Sequence, residues 1–127
     1  MLEAGLVAVD LPREKAFLYI IGTLEKINAK VRNADRTAYL IEGRSATAMT
    51  GFNFPFEIRL KPYLETNTLV EVLAPFGKQF VNSFMKEFTK IVMPIREPVI
   101  IELVSMKEVE RQIEQNEIAF KSKEAGK

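Results

Sequence analysis

The residues able to do chemistry in this chain are carboxylates and cations, and their spacing suggests two uses. Glu42, Glu57 and Glu71 fall in three successive segments with strand character. Carboxylates on neighbouring strands are the raw material of acid and base catalysis, one group donating a proton while another accepts one. Arg44, Arg59 and Lys61 occupy the same segments, so cross-strand ion pairing on a solvated face is the simpler reading. The second use is phosphate binding. Lys30, Arg32, Arg36, Arg44, Arg59 and Lys61 crowd into the first half, whereas acids crowd towards the C-terminus. A basic sheet face of this kind is what a nucleic-acid backbone requires. Sheet-face readers also stack bases on exposed aromatics, and only Tyr39 and Tyr63 stand outside the apolar patterns as candidates.

What is missing narrows the field further. The chain has 0 His and 0 Cys. A Ser-His-Asp triad, a thiolate nucleophile, an imidazole base, His- or Cys-bound metals and disulfides are therefore all excluded. Gly43, Gly51 and Gly77 form neither GxGxxG nor a P-loop motif, and Gly77 followed by Lys78 reads as a helix entry. No catalytic, cofactor-binding or metal-binding residue is assigned, and no cofactor is expected. The expectation is a binding module, not an enzyme.

The elements that must position these residues follow from periodicity. Phe52, Phe54, Phe56, Ile58 and Leu60 share one parity, and Asn53, Pro55, Glu57, Arg59 and Lys61 the other. That is a strand with one apolar face and one wet face. Pro55 fits an edge or a bulge. Gly5 to Val9 reads as a first strand, followed by Asp10 as helix cap and Pro12 in the first turn. Phe17, Ile20, Ile21, Leu24 and Ile27 give a helical stripe over Arg13 to Asn28, in which Gly22 marks a close approach to the sheet. Val31 and Thr37 to Ile41 form a hairpin about Asn33 to Asp35, and Gly43 to Gly51 is a bulged strand or a loop. Thr68 to Ala74 is apolar on both parities and should be covered more completely than its neighbour. Phe80, Phe84 and Phe88 recur at intervals of four in a second helix, Lys78 to Val92, and face the strand phenylalanines.

Pro94 and Pro98 bracket an exit, and Val99 to Val104 is a further strand. Ser105 and Glu108 form a capping box for a last helix. In it Met106, Val109, Ile113, Asn116 and Phe120 fall at coiled-coil spacing. The chain therefore divides into an α+β core, residues 1–94, and a C-terminal strand and helical assembly element, residues 95–127. The order of elements from about Gly5 to Val92 resembles the repeat of the TATA-box-binding protein and small bacterial domains of that topology. The resemblance implies a curved antiparallel sheet with two helices packed on one face, and carries over no functional residue. The strand and helix after Pro94 lie outside it.

A length of 127 residues suits one domain, and 47% hydrophobic with 28% charged residues suits a folded, soluble one. The net charge of +1 supplies no global field towards nucleic acid or membrane. No apolar run approaches the roughly 20 residues of a membrane span, and the N-terminus lacks the basic region of a signal peptide. With no Cys, a reducing, cytoplasmic location fits. The reading that emerges is a non-catalytic binding or assembly module acting through self-association or protein docking by the C-terminal helix. The alternatives are nucleic acid on the basic face and an apolar ligand held between helix and sheet.

Overall fold

Six strands and two helices follow one another in the order β1 (Leu2–Val9), α1 (Arg13–Lys26), β2 (Lys30–Asp35), β3 (Leu40–Ala46), β4 (Asn53–Tyr63), β5 (Asn67–Pro75), α2 (Lys78–Ile91) and β6 (Val99–Leu103) in the computed structural model, which describes residues 2–46, 53–75 and 77–103. The strands form one sheet in the order β2-β3-β4-β5-β1-β6. Every pairing is antiparallel. The α+β class and the antiparallel sheet are as the sequence requires, and β6 extends that sheet beyond β1. Neither described helix is long and apolar enough to cross a membrane.

Alternation in β4 places Phe56, Ile58 and Leu60 on the face covered by both helices. Val7 and Val9 of β1, Ile41 of β3 and Val70 and Val72 of β5 complete that face. Onto it α1 sets Phe17, Ile20 and Leu24, and α2 sets Phe80, Phe84 and Phe88. The rings run in series from the sheet along α2. Phe56 stacks on Phe80 at 4.5 Å between centroids, Phe80 meets Phe84 at 6.3 Å, and Phe84 stacks on Phe88 at 5.3 Å. Each buried Phe contributes roughly 1.5–3 kcal/mol, so this row outweighs any surface ion pair in the fold. Phe52 and Gly51 lie outside the described residues.

Several local expectations are corrected. The β2–β3 turn occupies Arg36 to Tyr39, later than Asn33 to Asp35. The cause is Asp35, whose Oδ1 accepts hydrogen bonds from the backbone N–H groups of Thr37 and Ala38 at 2.9 and 3.1 Å. Such a side-chain acceptor begins a turn after itself. Asp10 does not cap α1, since Pro12 holds the N-cap position without a side-chain bond. Gly22 does not approach the sheet either, for it is exposed and a Cβ there would meet nothing within 4 Å. The close approach is at Gly5, where a Cβ would collide with the Met85 side chain and lie 2.9 Å from Val81 Cγ1. That missing side chain lets α2 settle on β1.

Pro55 also finds its reason in the topology. It pairs with Arg44 of β3, but the ladder between β4 and β5 begins only at Glu57 opposite Leu73. A residue with no backbone donor is tolerated where one flank of its strand is unpaired.

The face turned away from the helices carries a second apolar cluster. Ala4, Leu6 and Ala8 of β1, Leu69 and Leu73 of β5, and Tyr63 of β4 are all buried there, with Leu64, Ile95 and Ile101 packed beside them. The connection after α2 is tied to this region. Pro94 bridges to Val9, and the Ile95 N–H donates to the Ala8 carbonyl at 2.7 Å.

Candidate binding face

Register puts the three carboxylates on one surface, because Glu42 lies opposite Glu57 across β3 and β4 while Arg59 lies opposite Glu71 across β4 and β5. All three occupy the face away from the helices, where Arg44 and Lys61 also project by parity. This face has two halves. Strands β2 to β4 carry charge, and β5, β1 and β6 carry the apolar cluster.

Glu71 stands at the boundary, with Arg59 opposite on β4 and Leu6 opposite on β1. Its side chain is 0% exposed, and its nearest countercharge is the Lys61 Nζ at 3.4 Å. Neither carboxylate oxygen has a hydrogen bond. Burial pushes the Glu71 carboxyl above the usual carboxylate range, and the charges of Lys61 and Arg59 pull back against that shift. A further ion pair on this face joins Arg59 to Glu57 at 3.1 Å along one strand, with both side chains about one third exposed (34% and 30%). Of the cross-strand pairs read from the sequence, Lys61 with Glu71 is formed, and Arg59 takes a neighbour on its own strand.

The six cations do not make one patch. Lys30 lies opposite Arg44 at the sheet margin, and Arg59 and Lys61 are drawn into pairs with acids. Arg36 belongs to the β2–β3 turn and lines a separate depression of about 300 Å³ with Glu14, Lys15, Phe17, Leu18 and Tyr39 against α1. Acids thus interleave the cations wherever the sheet gathers them. The two tyrosines are also taken. Tyr63 is 1% exposed, and Tyr39 carries the Arg13 guanidinium over its ring at 4.1 Å. A cation held this way uses the face that a base would need. Tyr39 also adopts a left-handed backbone, φ 53°, at the turn.

A cleft of about 370 Å³ opens where the β4–β5 ladder stops. Pro55, Phe56, Leu73 and Pro75 form its apolar walls, and Arg32, Glu42, Arg44 and Glu57 stand around it. Sequence reasoning had no access to it, since it arises from the end of a pairing and not from any residue pattern. The layer between helices and sheet, by contrast, is filled by side chains such as Phe84 and Phe88, each 0% exposed. Among the described residues no group of three or more acids is arranged to hold a metal ion. Met106, Val109, Ile113, Asn116 and Phe120 lie outside the described residues.

No family model matches the chain, and no curated protein matches it. Among solved structures it is similar to a conserved protein from Geobacillus kaustophilus, at 11% identity and a TM-score of 0.44, over 72% of this chain and 94% of that one.

Proposed function

We propose that this protein is a non-catalytic binding or assembly module that acts by self-association or protein docking through the segment following Pro94. The observation that carries this reading is the apolar row in the sequence beyond Leu103, set beside a sheet whose second face is already apolar and buried. A sheet with helices on one face ordinarily turns its other face to water. Here Leu6, Leu69 and Leu73 are at most 3% exposed on that other face. These side chains are already covered within the chain itself, so what is left for a partner is the apolar row carried by the sequence beyond Leu103. The sequence beyond Leu103 supplies a matching apolar row in Met106, Val109, Ile113 and Phe120, and an isolated helix of that length is marginal in water. Asn116 within the row is a residue type that sets register between helices at a cost in stability. The absence of Cys and His supports a non-catalytic role, and the lack of Cys fits a cytoplasmic setting. Nucleic-acid binding draws less support, because acids interleave the cations.

Sedimentation of the full chain and of a Val109→Glu, Ile113→Glu variant tests the reading. The expected result is an oligomer that the double substitution dissociates into folded monomers. A monomeric parent whose variant unfolds would assign the segment to the chain's own core, and the assembly role would be abandoned.

A further inference from the structure

The two edges of the sheet are built differently. At one edge β2 is interrupted by a bulge between Val31 and Asn33, and Lys30, Arg32 and Asn33 are all exposed along it. Bulges and edge cations are the usual devices that stop a sheet from adding another strand. The edge formed by β6 carries neither. Its five residues, VIIEL, pair with β1 in unbroken register and include no Pro, Lys or Arg. Among the described residues β6 has a neighbouring strand on one side only. Alternate backbone N–H and C=O groups are therefore directed away from the sheet. Val99 and Ile100, on opposite faces of the strand, remain 44% and 39% exposed.

We propose that β6 pairs antiparallel with β6 of a second copy, about a two-fold axis centred on Ile101, so that two sheets continue into one. This rests on the self-association reading above and names its mode. Length and charge select the register: pairing centred on Ile101 brings all five residues of β6 into the ladder. The one ionisable position of β6 is Glu102, and pairing centred on Ile101 sets it opposite Ile100 of the partner subunit, so that no like charges directly oppose one another. Pairing centred on Glu102 would oppose two carboxylates. Symmetry selects the occupant. Strand β6 against the β2 edge of another copy would meet the bulge and leave both outer edges open to further addition, whereas β6 against β6 closes.

The test uses the full chain, which has 0 Cys, so an introduced thiol reports only its own position. Ile101→Cys should form a disulfide-linked dimer under mild oxidation, because directly opposed residues of an antiparallel pair lie about 4.5–5.5 Å apart. Arg32→Cys, on the other edge, should remain monomeric on a denaturing gel. Sedimentation across a concentration series should show a dimer, and Val99→Lys should raise its dissociation constant at least about tenfold, as a lysine does on an unprotected edge. Val99 is partly exposed, so Val99→Lys should melt as the parent does. A parent dimer that survives Val99→Lys and is not linked through Ile101→Cys would overturn the edge pairing and leave self-association standing. A parent that stays monomeric throughout would overturn both.

Discussion

Replacing Lys61 by Met should destabilise the protein by an amount that grows with pH, and the magnitude follows from the burial of Glu71. Opposite unit charges 3.4 Å apart attract by about 5 kcal/mol at an effective dielectric constant near 20. Lys61 is itself 35% exposed, so solvent screening reduces the expected loss to about 2 kcal/mol. Because burial raises the Glu71 carboxyl, the folded chain holds that proton more tightly than the unfolded chain. Stability therefore falls as pH rises from the ordinary carboxylate range through the raised value. Lys61→Met removes the pull of the lysine and raises it further, so the loss should be smallest at acid pH, where the carboxyl keeps its proton, and should grow as pH rises. Adding Glu71→Leu to Lys61→Met should restore stability at pH 8, since Leu6, Leu69 and Leu73 surround the position with apolar side chains and a buried pair can be replaced by apolar residues without loss. Urea melts of the parent, the single and the double variant at pH 5 and pH 8 decide the matter. An equal cost at pH 5 and pH 8 would refute the electrostatic account and leave the packing of the lysine stem as the cause.

Two further contrasts test the layers of the fold. Phe56→Ala should cost about 3–5 kcal/mol, since the ring is buried against Phe80, while Arg59→Ala should cost under about 1 kcal/mol from a surface pair; the reverse order in denaturant melts would contradict the facing of β4. Gly43→Ala should destabilise by about 1–3 kcal/mol, because its Cβ would strike the Lys30 carbonyl oxygen and come within 2.7 Å of the Phe56 ring. Gly22→Ala, with open space around it, should stabilise by up to about 1 kcal/mol. Thermal melts showing the two glycine substitutions alike would remove the packing argument at Gly43.

How much of this was legible beforehand depends on the kind of information each feature needs. The alternation from Phe54 to Leu60 and the spacing of Phe80, Phe84 and Phe88 are local patterns, and they were enough to predict which faces meet, because a period of two or of about 3.6 places side chains without reference to anything distant. The double-sided apolar pattern of Thr68 to Ala74 likewise foretold a strand covered more completely than its neighbour, and β5 is buried along nearly its whole length. Small non-local choices escaped that reasoning. Gly22 and Gly5 look alike in a sequence, and only the position of α2 over β1 makes Gly5 the tight contact. The six cations look like one patch in the first half of the chain, but the register of β4 against β5 brings Lys61 beside Glu71, and Arg59 pairs with Glu57 along its own strand. Tyr63 reads as a free aromatic and is buried, because residues of β1 and β5, distant in the chain, share its face. The sequence by itself determined the α+β class, the apolar faces of the described strands and helices, and the chemistries ruled out by the lack of His and Cys. Only the tertiary structure decided that Lys61 pairs with Glu71, that Glu71 is buried, and which strand, among the described residues, forms each edge of the sheet, since each depends on strand order and register, which local periodicity does not encode.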